Sequence, residues 1–334
     1  MTDPKKKIRL AAVILVVLGL GLMVAASRMF YHPSSVPKPP APRVLSIRSI
    51  DTMKYSRDLA REKLHDPAFV AVINQQMKDI AGAGANYVAI DTPYDREFIP
   101  FLREWVTAAR HDGLHVWFRG NFSGWEGWFG YPSITRQEHV GLTRNFILNN
   151  PTLFADGDIF TPCAECENGG PGDPRQTGDV VLYRQFLIAE KNTSSQAFLQ
   201  IGKNVQAGYF SMNFDVARMI MDQPTAAAVG GVVVIDHYVK SPKQLAADVQ
   251  IIAGQSGGQV ILGEFGAPIP DINGQMNDQQ QADWINQALS WLSGLPEVDG
   301  VNYWTSFGGS TALWNNNGQP KPAVAVITNY YSKK

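Results

Sequence analysis

Cysteine is nearly missing from the 334 residues: only Cys163 and Cys166 occur, within Cys-Ala-Glu-Cys. Residues this close either form a strained disulfide or stay as two buried thiols. A redox centre is excluded, because a thioredoxin-like pair opens a helix after a strand, whereas here Pro162 precedes the pair and Gly-Gly-Pro-Gly follows it. Histidine is scarce too, at six residues, and none stands at zinc-ligand spacing with the cysteines. His111 and His115 are separated by Gly113, which predicts a helix end and a strand start in place of a metal pair. Neither sign of charge dominates. With 29 basic and 30 acidic residues, a net charge of -1 and no basic stripe, the composition argues against nucleic acid and for a neutral ligand. No Gly-x-Gly-x-x-Gly follows the first strand and no Walker sequence occurs, so nucleotide binding loses its main support. Nothing in the sequence calls for a cofactor or a metal.

Long uncharged apolar runs are limited to one, Leu10 to Ala26, behind Lys5, Lys6, Lys7 and Arg9. A spanning helix needs roughly 17 to 25 such residues. Residues 1–27 are therefore read as a basic cytoplasmic flank and transmembrane anchor, and the alternative is a signal peptide cut after Ala25, Ala26 or Ser27. The positive-inside tendency sends everything after Ser27 across the membrane. The expected location is the cell membrane, single-pass, with the C-terminal domain extracytoplasmic, or secreted after cleavage. The lipid bilayer is the partner of the N-terminal helix, and no protein partner is specified. Residues 28–43 form a Pro-rich linker of largely polyproline character, and residues 44–334 the folded domain.

From residue 44 onward, short β-branched runs alternate with helical patterns, the arrangement of parallel strands with crossover helices. Eight strands are predicted: VLSIRSI from Val44, NYVAID from Asn86, LHVWFR from Leu114, DIFTP from Asp158, GYFSMN from Gly208, GVVVID from Gly231, QVILGE from Gln259 and GVNYWT from Gly300. Asp66-Pro67 reads as an N-cap and first turn for the helix beginning around Phe69. Eight such units close into a barrel more readily than they form an open sheet, because closure leaves no unpaired edge. The expected fold class is thus α/β, a (β/α)₈ TIM barrel behind an N-terminal transmembrane helix and linker. Function then belongs at the carboxyl ends of the strands.

Those ends are polar and aromatic: Arg48, Asp91 with Tyr94, Arg119 with Asn121, Glu165 and Glu167 followed by Asn168, Asn213 with Asp215, Asp236-His237-Tyr238, Glu264, and Trp304. Trp125 and Trp128 extend the third strand's loop and Trp314 the eighth's. Aromatic platforms beside carboxylates suit carbohydrate, since sugar C–H faces stack on rings while hydroxyls bond to Asp, Asn and Arg.

The segment QVILGEFGAP, residues 259–268, resembles the seventh strand of the retaining (β/α)₈ glycoside hydrolase clan that includes cellulases and mannanases. The resemblance implies that Glu264 is the nucleophile. GDIFTPCAECEN, residues 157–168, is similar to the clan's fourth strand, which ends in Asn-Glu-Pro, and this similarity places Glu165 on the acid/base, with Glu167 followed by Asn168 as the competing alignment. Asp236-His237-Tyr238 resembles the cluster beside the clan's nucleophile, and Trp304 its eighth-strand tryptophan under the bound sugar. The chain departs from the clan at Ala164, where asparagine is usual, and at Cys166, where proline is usual.

Independently of family, retention requires one carboxylate to attack the anomeric carbon and a protonated carboxyl to serve the leaving oxygen, roughly 5 to 5.5 Å apart. Arg48 or Tyr238 is expected to keep Glu264 ionised, while a drier setting keeps Glu165 protonated. The main expectation is a retaining glycoside hydrolase or transglycosylase cleaving β-glycosidic bonds of an oligo- or polysaccharide in the envelope or outside the cell. The alternative, motivated by Ala164, is a catalytically inactive, membrane-anchored barrel that binds glycan.

Overall fold

The computed structural model describes residues 41–332. The basic flank, the apolar run and nearly all of the linker lie outside the described residues. Among the described residues, no helix is long and apolar enough to cross a membrane.

Nine strands, β1 Ile47–Asp51, β2 Tyr87–Ile90, β3 His115–Phe118, β4 Ile159–Phe160, β5 Gln206–Ala207, β6 Ser211–Asn213, β7 Val232–Asp236, β8 Gln259–Phe265 and β9 Val298–Tyr303, form one sheet. Its order is β5-β4-β3-β2-β1-β9-β8-β7-β6, and neighbouring strands pair in parallel. Of the two terminal members of that order, β6 falls inside the fifth strand expected from GYFSMN, while β5 precedes it. Gly208, with φ +96°, breaks the extended run between them, and a side chain there would meet the Val229 carbonyl at 2.3 Å. Thr161 Oγ1 donates to the Tyr209 carbonyl (2.6 Å), and the Glu165 N–H donates to the Ser211 carbonyl (2.9 Å). These bonds tie the chain after β4 to the broken strand, and the sheet curls into an α/β barrel-like fold.

Helices connect the strands as crossovers demand, among them Phe69–Gly82, Ile99–His111, Arg136–Asn149, Val180–Gln200, Pro242–Ser256, Asp278–Leu292 and the closing Pro322–Tyr331. Their starts are written in local chemistry: Thr135 and Glu138, and likewise Asn277 and Gln280, cap each other reciprocally. The expected cap at Asp66 is corrected. The helix begins at Phe69, and Asp66 accepts from the Ala68 N–H (3.1 Å) in the turn before it. His111 ends a helix and His115 opens β3, as Gly113 between them predicts.

Strand alternation builds two apolar layers. Ile47, Tyr87, Ala89, Trp117, Ile159, Tyr209, Val234 and Ile261 form one cluster, which fills the barrel interior. Their neighbours Val88, Ile90, Val116, Phe118, Phe160, Val233, Ile235, Val260 and Leu262 pack outward with the helices in the other. This alternation positions the site.

Candidate active site

Continuing the inward face by two residues toward each strand's carboxyl end replaces uncharged side chains with ionisable ones. Ser49 gives way to Asp51, Ala89 to Asp91, Trp117 to Arg119 and Val234 to Asp236. All four are buried, with Arg119 and Asp91 each 2% exposed. A buried cation is costly unless it is paired and hydrogen-bonded; here both terminal nitrogens of Arg119 have partners, while Nε has none. Arg119 Nη1 donates to Asp51 Oδ2 (2.9 Å), and Nη2 lies within bonding distance of Ser211 Oγ (3.1 Å), Asp236 Oδ2 (3.0 Å) and Glu264 Oε1 (3.2 Å). Asp51 is held further by the Met53 N–H (2.7 Å) and Asn302 Nδ2 (3.0 Å).

Glu264 reaches this cluster through an irregularity in β8, where the register to β7 and β9 shifts around it. The preceding Gly263 permits the shift: a Cβ there would lie 2.3 Å from Asp236 Oδ1. The second oxygen of Glu264 accepts from Tyr238 Oη (2.8 Å). Burial pushes the Glu264 carboxyl above the ordinary range, while Arg119 and the Tyr238 hydroxyl pull it back toward the carboxylate. Arg119 thus plays the part expected of Arg48.

Glu165 faces Glu264 from the loop after β4. Oxygens of Glu165, Asp236 and Glu264 all lie within 4.8 Å of one another. Glu165 is one of two described non-glycine residues with positive φ, at +42°, a left-handed conformation that costs of order 1–3 kcal/mol and concentrates at functional positions. Burial first, then the charges of Glu264 and Glu167, push its carboxyl up to about 8. Among the described residues these three carboxyls are the group with the spacing to hold a cation, but Arg119 already supplies positive charge to two of them.

Beside Glu165 is a cavity of about 320 Å³ lined by Met53, Arg57, Asp91, Arg119, Asn121, Glu126, Trp128, Ala164, Glu165 and Asn168. Six residues expected at the site, Asp91, Arg119, Asn121, Trp128, Glu165 and Asn168, thus share one opening. Trp304 follows β9 and contacts Tyr238 edge-on (6.0 Å between centroids), with Lys54 over its ring.

Other expectations are corrected. Arg48 lies near the amino end of β1 and donates to the Leu45 carbonyl (2.6 Å), away from the mouth. Trp125 is no sugar platform: it is buried, stacked on Phe186 (5.0 Å), with Nε1 donating to the Cys166 carbonyl (3.1 Å). Trp314 is likewise buried, stacked on Phe307 (5.5 Å). His237 turns to Asp248 (2.8 Å) and stacks on Phe214. Glu167 is committed to structure. It accepts from the Asn213 N–H (2.6 Å), from Asn213 Nδ2 (3.1 Å) and from Tyr183 Oη (3.4 Å), which also removes Asn213 from the substrate side. Cys163 and Cys166 are joined in a disulfide within this loop.

Sequence reading missed Asp51, Arg57, Glu126 and the role of Asp236. The signal for Asp51 and Asp236 was the inward alternation just described. Arg57 and Glu126 sit in loops, where no periodicity marks them.

A curled parallel sheet with ionisable residues at the carboxyl ends of its strands defines the class: an α/β barrel-like fold with a carboxylate-rich mouth. Solved structures similar to it include glycoside hydrolases. The catalytic domain of a GH53 enzyme from Ignisphaera aggregans superposes with a TM-score of 0.60 at 16% identity, covering 89% of this chain and 100% of that one. A β-glycosidase, BGL167, gives a TM-score of 0.58 at 13% identity over 86% of this chain and 96% of that one. A β-D-glucuronidase from Dictyoglomus thermophilum gives 0.59 at 16% identity over 89% of this chain, but this chain spans only 51% of it. No family model matches the sequence, and neither does any curated protein. At these identities the likeness establishes the fold.

Proposed function

We propose that the chain is a retaining glycoside hydrolase acting on β-glycosidic bonds of an extracytoplasmic glycan, with Glu264 as nucleophile and Glu165 as acid/base. The observation that carries this reading is the spacing of the two carboxyls, within 4.8 Å. Retaining enzymes place their pair about 5 to 5.5 Å apart, whereas inverting enzymes need roughly 6.5 to 9.5 Å to admit a water. Environment supports the division of labour. Glu264, bonded to Arg119 and Tyr238, is the group held nearer the carboxylate form, while Glu165 near 8 keeps its proton at neutral pH. Glu264 attacks the anomeric carbon as the C–O bond breaks, and Glu165 gives its proton to the departing oxygen. Water, deprotonated by Glu165, then releases the sugar from Glu264. The similarity to glycosidases of the same fold agrees with this assignment.

The test is turnover of a panel of activated aryl β-glycosides. Glu264→Gln is expected to abolish hydrolysis and Glu165→Gln to lower it by at least about 10²-fold, with both proteins folded. Product anomers followed by NMR should show retention at first turnover. Full activity in Glu264→Gln, or inverted product, would defeat the assignment. In this reading residues 1–27 anchor the enzyme, and fractionation should recover activity with membranes.

A further inference from the structure

Behind the wall that carries Glu165, a histidine and a glutamate are fully buried and take no part in the chemistry above. His139 lies on the helix Arg136–Asn149 and Glu190 on Val180–Gln200, and neither has exposed surface. Nδ1 of His139 is 2.7 Å from Glu190 Oε1, and Nε2 is 2.9 Å from Asn121 Oδ1. That Asn121 oxygen also accepts from the Phe122 N–H (2.8 Å), while Asn121 Nδ2 faces Glu126 Oε1 (2.6 Å) and the Ala164 carbonyl (3.4 Å). These neighbours fix which end of the carboxamide is oxygen, so Nε2 of His139 must carry a proton and donate a hydrogen bond. One further proton lies between Nδ1 and Glu190, and on either atom it leaves Nε2 a donor. Phe122, Trp125 and Phe186 pack edge-on around the imidazole, with centroids 5.1, 4.8 and 5.5 Å away.

Two of the side chains that touch His139 reach the loop after β4 on either side of Glu165. Asn121 meets the carbonyl of Ala164, and Trp125 Nε1 donates to the carbonyl of Cys166 (3.1 Å). Between these two held carbonyls Glu165 keeps its φ of +42°. A left-handed conformation at such a residue persists only where the surroundings over-determine it. We propose that His139 and Glu190 are positioning residues that hold Glu165 in its working conformation through Asn121 and Trp125. The inference rests on the glycosidase reading for what Glu165 does, and on geometry for what holds it. A buried polar pair adds little stability over apolar packing of the same volume. What the histidine supplies, and an apolar side chain would not, is an N–H aimed at Asn121.

Two polar substitutions separate the aimed bond from filling of the core. His139→Gln can set its carboxamide N–H near the place of Nε2 and keep the bond to Asn121, whereas the shorter His139→Asn keeps a donor only toward Glu190. The full chain in detergent is assayed on activated aryl β-glycosides. His139→Asn is expected to lower kcat by about tenfold or more with KM little changed. It should also move the basic limb of the pH profile, which Glu165 sets, to lower pH as that carboxyl gains water. His139→Gln should restore most of the kcat and the position of the limb. Wild-type kcat and pH profile in His139→Asn, or equal losses in the two variants, would overturn the inference. If His139→Asn does not fold, Asn121→Asp, which puts an oxygen where Nδ2 meets Glu126 and Ala164, takes its place, and wild-type kcat in it is equally fatal. Should the wild type turn over no glycoside, the hydrolase assignment fails by itself. Carbon-13 NMR titration of the Glu165 carboxyl, identified with Glu165→Gln, then decides the positioning: a lower pKa in His139→Asn sustains it, and an unchanged one overturns it.

Discussion

Arg119 does at the residue scale what no other single side chain of the mouth does: almost wholly buried, it pairs with Asp51, Asp236 and Glu264 together. A buried ion cluster of this kind contributes little net stability, yet removing one member leaves the others uncompensated. Arg119→Met is therefore expected to cost about 3–5 kcal/mol in urea unfolding. A cost under about 1 kcal/mol would show that the carboxyls tolerate their own repulsion. Arg119→Lys should not restore the wild-type value, since an ammonium cannot reproduce the planar fork that spans opposite partners. Glu167 supplies the contrast to Glu165. Because its oxygens are already taken by Asn213 and Tyr183, Glu167→Gln should retain most of the activity that Glu165→Gln loses. The reverse outcome would exchange the two assignments.

Among the elements, those with a clear period were legible in advance and those shaped by contacts were not. β2, β3 and β7 fall inside their predicted runs, and β8 exceeds its own by one residue, because β-branched alternation survives burial on both faces. The fifth strand was read from Gly208 onward, but a short strand, β5, lies just before it and is set apart from β6 by the positive φ of that glycine, which sequence does not report. Trp125 and Trp128 were both placed in the third strand's loop, yet which of them turned inward depended on a distant partner, Phe186. The same limit explains Arg48. Its place in β1 was evident, but the end of the strand to which its side chain runs was not. Glu264 was legible because it ends a predicted strand with Gly263 and Gly266 close by, while Asp51 was hidden as an ordinary strand-end acid. The loop after β4 combines a disulfide, the clamp on Glu167 and the strained Glu165. Glu167→Ala should release that clamp, leaving Asn213 and Tyr183 with unmet donors, and cost about 1–3 kcal/mol together with a fall in kcat. Unchanged kcat and stability would mean the loop is held by the disulfide alone.

For the whole molecule, the carboxyls of the mouth make stability depend on pH in an uncommon direction. Glu165 in the folded chain sits near 8, above the value of about 4.3 for an unfolded glutamate. The folded state therefore holds this proton more tightly. The stabilisation is complete below about pH 4 and is lost as pH rises through about 8. Asp91 and Asp236, also pushed upward chiefly by burial, act in the same sense. Glu165→Gln should accordingly gain melting temperature relative to the wild type between pH 5 and pH 9, by about 2 °C or more. A difference that stays constant with pH would place the Glu165 pKa near its ordinary value.

The guanidinium that arrives from β3 and grips β1, β6, β7 and β8 also constrains how the chain can drift in evolution. Altering any one partner strands an ion in a dry cavity, so tolerated changes must come as compensating sets. In related chains these positions should be exchanged together or left alone, even where the surrounding sequence has diverged beyond recognition.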